Sequence, residues 1–200
     1  MSEEFEQIET LIDNLSKEDF KSEVLEDYRV ACVSRNCSLI GRKEVLTGKA
    51  KFGIFGDGKE IAQIALSKYF NDGDWRSGYY RDQTMMFALG LCTPNQWFAQ
   101  LYAHADITLE PHSAGRQMGG HFATRSIDEN GDWNDLTKMK NTSADISPTA
   151  GQMSRALGLG LASKHYRNDE GLKGKNKFSN KGNEVVFVTI GDASTSEGPF

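Results

Sequence analysis

The residues best suited to chemistry stand at the end of an apolar run close to residue 200. Val185 to Ile190 form an almost unbroken β-branched stretch, the pattern of a strand buried on both faces of a parallel sheet. Gly191 follows, and then Asp192, so a lone carboxylate is delivered at the carboxyl end of the strand, where open α/β sheets bind ligands. Ala193, Ser194, Thr195 and Ser196 are small and let the backbone approach a phosphate or a metal closely. Tyr80-Arg81, at the end of an extended segment beginning at Trp75, is a second candidate. A forked guanidinium beside a phenol suits a phosphate, whereas a surface Arg81–Asp82 or Arg76–Asp74 pair is the plain alternative. His104, His112 and His121, with Asp106 and Glu110, carry metal-ligating groups, yet their spacing matches no zinc pattern and lies in a glycine-rich loop. The glycine-punctuated loop Phe52–Glu60 lacks the Gly-x-x-x-x-Gly-Lys-Ser/Thr signature and has no strand before it, so it reads as a tight turn. The same gap counts against a nucleotide-hydrolase reading of the terminal strand.

The elements that must position these residues are legible in outline. Residues 3–14 carry Phe5, Ile8, Leu11 and Ile12 at helical spacing. Ser16 caps a longer helix expected to reach about Leu46, with Phe20, Val24, Tyr28, Ala31, Val33, Leu39 and Ile40 on buried faces and Arg29, Arg35, Arg42 and Lys43 solvated. A helix through Ile61, Ile64 and Leu66 follows, then a turn at Asn71–Asp74 and helices over Gln83–Gly90 and Pro94–His104. Residues 126–141 read as an inserted surface loop. Ser147 as cap and Pro148 at the first helical position predict a helix to Tyr166. Its glycines at 158 and 160 each cost roughly 1 kcal/mol relative to alanine, which close packing against another helix or chain would offset. Residues 167–183 read as a flexible connection. The division is a helical segment, 1–48, and an α/β segment, 49–200, that supplies only part of its own sheet, because one buried strand needs neighbours on both edges.

Composition bounds the function. A hydrophobic share of 38% with 26% charged residues describes a folded globular chain. The net charge of −5, with no basic stripe, excludes a nucleic-acid surface. Cys32, Cys37 and Cys92 are too irregularly spaced for a disulfide framework or a zinc site and read as reduced thiols of a cytoplasmic protein. The acidic start, Met1-Ser-Glu-Glu, is no signal peptide, and no apolar run reaches the ~18 residues of a membrane span.

Taken in order, Gly58-x-Glu60, Tyr80-Arg81-Asp82, Gly115-Arg-Gln-Met118 with Gly120-His-Phe122, Ile146-Ser-Pro-Thr-Ala-Gly-Gln152 and Gly191-Asp-Ala-Ser-Thr-Ser-Glu-Gly198 resemble the successive motifs of one family. It is the alpha chain, or the alpha part of a fused alpha/beta chain, of the thiamine-diphosphate-dependent 2-oxo acid dehydrogenases, the decarboxylating component of pyruvate and branched-chain complexes. The Gly-Arg-Gln-Met and Ser-Pro-x-Ala-x-Gln matches are closer to the branched-chain type. The resemblance covers about residues 50 to 200. It implies the N-terminal part of a thiamine-diphosphate-binding, doubly wound parallel-sheet domain preceded by helices, with the sheet incomplete.

By that resemblance Tyr80 and Arg81 bind the cofactor's diphosphate, and backbone groups of Ser147 and Thr149 meet the aminopyrimidine ring. Asp192 coordinates the bridging magnesium, with Ala193 and Ser194 lining the turn. Ile146, Pro148 and Gln152 fall where branched-chain members hold a structural potassium ion. A diphosphate needs a hard divalent cation with oxygen ligands, which suits a carboxylate. Ala193 stands in place of the usual glycine, Thr149 in place of Leu or Val, and Lys59 in place of Gln. The implied reaction is oxidative decarboxylation of a 2-oxo acid, with acyl transfer to the lipoyl group of an acyltransferase partner. A beta chain or beta part completes the oligomeric enzyme with a further activating glutamate, so this stretch alone is expected to be inactive. Another transketolase-type thiamine enzyme and a non-catalytic helical assembly domain are the alternatives.

Overall fold

Ser16 begins the part of the chain that the computed structural model describes, residues 16–200; the helix expected over residues 3–14 lies outside it. The Ser16 hydroxyl accepts from the Asp19 amide at 3.1 Å and caps α1, Lys17–Leu46, with Glu18 and Asp19 favourably placed in its first turn. The buried residues of α1 are Ser34, Cys37, Ser38 and Gly41. Phe20, Val24, Tyr28, Leu39 and Ile40, expected inside, are exposed. The reason is close approach: a Cβ at Gly41 would lie 2.7 Å from the Trp97 indole, so only small side chains fit that face. Hydroxyls fill it, with Ser34 Oγ 2.6 Å from Thr84 Oγ1 and Gln83 Nε2 donating to Ser34 and Ser38.

Three short helices pack there: α2 (Glu60–Ser67), α3 (Gln83–Ala88) and α4 (Pro94–Leu101). α4 starts at Pro94, as the sequence predicts, and Thr93 and Gln96 add a reciprocal capping box that the sequence reading did not include. Met86, Trp97, Leu101 and Phe122, with Cys37, Ala50 and Cys92, make the main core; Phe70, Met85 and Leu89 make a second one against Phe187. All three cysteines are free thiols, and burial pushes that of Cys37 up to about 11. Arg35 and Arg42 are not merely solvated. Arg35 grips the buried Glu60 carboxylate at 2.7 and 2.9 Å, and Arg42 meets Asp57 at 2.5 Å. Gly58, at φ +93°, donates its amide to the same Glu60 carboxylate at 3.0 Å.

The sheet has the order β2-β1-β3 and is wholly parallel, with β1 (Trp75–Ser77) central, β2 (Asn141–Thr142) on one side and β3 (Val186–Val188) on the other. α3 and α4 lie in the crossover from β1 to β2, and α5 (Gly151–Asn168), in that from β2 to β3, packs on β1 and β3. Four expectations change. The terminal strand is half-buried, with Val185 exposed, because β3 is an edge strand here. The supposed surface loop 126–141 ends inside the sheet: Asn141 is fully buried and its side-chain amide serves the carbonyls of Asp74, Leu136 and Met139. α5 starts four residues after Ser147, with Ala150 at φ +66° as its cap. Ser147 and Pro148 form a turn instead, closed by Gly151 N–H to the Pro148 carbonyl. The connection before β3 is anchored: Glu184 accepts from Ser163 and Ser179 hydroxyls at 2.7 and 2.8 Å, and Phe178 packs edge-on against Trp133. Gly158 and Gly160 have no close neighbour within the described residues, and Leu157 beside them is 75% exposed. Among the described residues no helix is long and apolar enough to cross a membrane.

Arg35 and the Gly58 amide hold the Glu60 carboxyl below its usual range. A carboxyl depressed in the folded state adds stability above its unfolded pKa and loses it as pH falls through the folded value. Glu60→Gln is therefore expected to cost about 1 kcal/mol at neutral pH, discounted for the half-exposed Arg35. The difference should close well below pH 4.5. Urea denaturation of both proteins across that range checks it; a gap that persists in acid contradicts the assignment.

Candidate functional site

Because the strands are parallel, their carboxyl ends emerge on one side. The register sets Arg76 beside Thr142 and Ser77 beside Val188, so the chain leaves β1, β2 and β3 into three neighbouring segments. Side chains stitch these exits together. The Tyr79 hydroxyl lies 2.9 Å from Thr149 Oγ1, Ser77 Oγ donates to the Gln152 carbonyl at 2.9 Å, Gln152 Nε2 donates to the Thr189 carbonyl at 2.9 Å, and Thr189 Oγ1 donates to Asp82 at 2.7 Å. Tyr80-Arg81, Ile146–Gln152 and Asp192–Ser194, singled out separately in the sequence, thus belong to segments that leave the same end of the sheet.

Beneath them lies a group that sequence reasoning missed. Arg76 is 1% exposed and holds two carboxylates, Asp82 at 2.8 Å and Asp145 at 3.1 Å, while Nη1 reaches Thr142 Oγ1 at 2.7 Å. Neither surface pair proposed from the sequence forms. Asp74 instead accepts from the amides of Asn71 and Val185 at 2.8 and 2.7 Å. The only sequence hint was an arginine inside a segment otherwise fit for burial. Despite the guanidinium, burial pushes the Asp145 carboxyl above the usual range. A Cβ at Gly78 would overlap the Arg76 guanidinium, so the residue there has to be glycine.

The Tyr80-Arg81 backbone is clamped while both side chains remain half-exposed. Gln63 Nε2 donates to the Arg81 carbonyl at 2.7 Å, and a Cβ at Gly56 would lie 2.6 Å from that oxygen. Gly120, at φ +85°, sits so close under the Tyr80 carbonyl that a side chain would collide with it. The Arg81 guanidinium rests 5.0 Å over the Tyr80 ring, so the two side chains pack on one another.

Asp192, Ala193 and Ser194 open a short 3₁₀ turn, Asp192–Ser196, with Asp192 exposed and Ser194 buried. Ala193 sits in a right-handed turn that any residue adopts, so the missing glycine costs no backbone strain. Gln152 is 1% exposed; its amide nitrogen is used, but Oε1 is buried with no donor. An amide oxygen in that state fits a cation ligand; Gln152 lies in the first turn of α5, while Ile146 and Pro148 lie in the segment before it, where the Pro148 carbonyl already accepts from the Gly151 amide. The histidines do not assemble. The His112 Nδ1 serves the Ala123 carbonyl at 2.9 Å, with burial pulling its imidazole pKa down, while Glu110 accepts from the amides of His112, Ser113 and Gly115. Among the described residues no three such side chains form a metal site.

Residues 28–200 match the family described as dehydrogenase E1 component, and the chain belongs to that family, whose members depend on thiamine diphosphate. It is similar to 2-oxoisovalerate dehydrogenase subunit alpha of Bacillus subtilis (strain 168), with 26% identity over 183 residues. That match covers 89% of this chain and 45% of that protein, so the chain spans less than half the length of the relative.

Removing the Arg76 charge leaves two buried carboxylates facing each other. Arg76→Met is expected to cost about 3–5 kcal/mol, and Asp145→Asn, which keeps a polar partner, clearly less. Urea midpoints decide; a loss under about 1 kcal/mol for Arg76→Met would show that the cation is dispensable.

Proposed function

We propose that this chain is the cofactor-holding, N-terminal part of an alpha-type subunit of a 2-oxo acid dehydrogenase. The reading is supported above all by the stitching of Tyr79–Asp82, Ile146–Gln152 and Thr189–Ser194 at one end of the sheet. Tyr80 and Arg81 hold the diphosphate of thiamine diphosphate. The phenol and the forked guanidinium are charge-assisted donors on a backbone that cannot shift. Asp192 binds the magnesium ion that neutralises that diphosphate, and the small residues Ala193 and Ser194 leave room for its remaining oxygen ligands. Backbone groups of Ser147 and Thr149 meet the aminopyrimidine ring. The Gln152 amide oxygen, with Ile146 and Pro148, holds a potassium ion that stiffens the turn before α5.

Thiamine diphosphate, when bound, supplies the electron sink for loss of carbon dioxide from a 2-oxo acid. The residues of this chain bind and orient; none of them is assigned a proton transfer. The substrate class is a 2-oxo acid, pyruvate or branched-chain, and the acyl product passes to a lipoyl-bearing acyltransferase in a multienzyme complex. A beta chain or beta part completes the site in an oligomer. The exposed Leu157 and Leu161, beside the bare Gly158 and Gly160 of α5, offer it a close-fitting surface. Free thiols buried at Cys37 and Cys92 suit a cytoplasmic enzyme.

Calorimetry with magnesium and thiamine diphosphate on the complete protein, with its beta part, tests this. Arg81→Ala and Asp192→Asn should each weaken binding about 10- to 100-fold, the worth of one charge-assisted contact. Unchanged affinity in both contradicts the assignment. The chain alone should release no carbon dioxide from any 2-oxo acid, and measurable release would overturn that part of the reading.

A further inference from the structure

His121 is assigned nothing above, yet it is buried at 2% exposure beside the same end of the sheet. Its Nδ1 lies 3.0 Å from the Met118 carbonyl and its Nε2 lies 3.2 Å from the Ser147 hydroxyl. A carbonyl can only accept, so Nδ1 carries the proton. In the neutral ring Nε2 is then a bare lone pair, and the Ser147 hydroxyl must donate to it. The proton of that hydroxyl is thereby used up, and what exposed Ser147 presents outward is oxygen lone pairs.

The ring has little freedom to choose otherwise. The Gln100 side chain donates to the His121 carbonyl and accepts from the Gly120 amide at 2.8 Å. Gly120 is itself wedged under Tyr80, whose ring lies 6.2 Å from the imidazole. From the other side the Tyr79 hydroxyl holds Thr149 at 2.9 Å. Residues 147–149 are therefore held between a histidine and a tyrosine, each with its partner fixed.

We infer that His121 is a positioning residue that acts through Ser147, setting that hydroxyl as an acceptor and so selecting a ligand that bears an amino group. The inference rests on the reading that the 147–149 segment faces the aminopyrimidine ring. Within that reading it assigns the Ser147 side chain, and not only its backbone, a part in recognition. A site built to accept from an amine discriminates against an analogue that cannot donate there, because the bound ligand covers the acceptor, shuts it off from water and leaves it unmatched.

The test uses the complete protein with its beta part and two probes: thiamine diphosphate, and its analogue with oxygen in place of the ring amine. Calorimetry with magnesium gives the preference of the wild type, Ser147→Ala, His121→Ala, His121→Gln and the double alanine variant. Ser147→Ala, at an exposed position, and His121→Ala should each narrow the preference for the amino ligand about 10-fold. The double variant should narrow it no further, since both act through one contact. His121→Gln, whose amide oxygen can accept from Ser147, should restore part of it. An undiminished preference in Ser147→Ala, or additive losses in the double variant, overturns the inference. Nitrogen-15 spectra of the labelled wild type, assigned against His121→Gln, should show the ring of His121 protonated at Nδ1 alone. A ring protonated at Nε2 also overturns it. A wild type that binds neither probe refutes the proposed function instead, and the spectra then decide the polarity of Ser147 on their own.

Discussion

The structure depends on one buried oxygen. Asp82 Oδ2 accepts from both Arg76 Nε and Nη2, from the Tyr79 amide and from the Thr189 hydroxyl. Arg76 carries the same network to Asp145 and Thr142, so residues leaving all three strands meet around a single guanidinium. A buried ion cluster of this kind gains little net stability over a packed apolar one. What it contributes is geometry. Each strand has at most three residues, too few to fix its neighbours by ladder bonds alone, and the charged knot holds their exits in register where main-chain pairing stops.

A second constraint is lack of room. Gly56, Gly78 and Gly120 each stand where a Cβ would strike the Arg81 carbonyl, the Arg76 side chain or the Tyr80 carbonyl. The dipeptide that reads as a diphosphate grip is therefore fixed through its backbone, leaving its side chains free. Preorganisation of this sort spares a bound anion the entropy of ordering its donors. The glycine-rich loop at 52–60 belongs here as well. It forms a wall, fastened by Glu60 to α1 and pressed against the Arg81 carbonyl.

Much of this was legible in the sequence, and the failures share a cause. The cap at Ser16 and the turn at Asn71–Asp74 were readable, because a local hydrogen bond decides each of them. The order of motifs gave the family before any coordinate. Burial along α1 was misjudged because periodicity assumes that large apolar residues face the core, and here Phe55 and Trp97 leave room only for Gly41 while Ser34 and Ser38 pair with Thr84 and Gln83. β2 was hidden because two residues carry no period. The helix after Ser147 was placed too early because capping residues serve turns equally well. The role of Arg76 was missed: no pattern in one chain distinguishes an arginine that snorkels from one buried between a nearby aspartate, Asp82, and another, Asp145, far away in sequence.

The central claim is that Arg81 and Asp192, which follow different strands, serve one diphosphate. The most direct measurement is a crystal structure of the complete protein with thiamine diphosphate and manganese in place of magnesium, with anomalous scattering locating the metal. The account predicts one manganese at the Asp192 carboxylate, bound to a diphosphate whose other oxygens meet Tyr80 and Arg81. A bound cofactor whose diphosphate and metal lie away from these residues would contradict it.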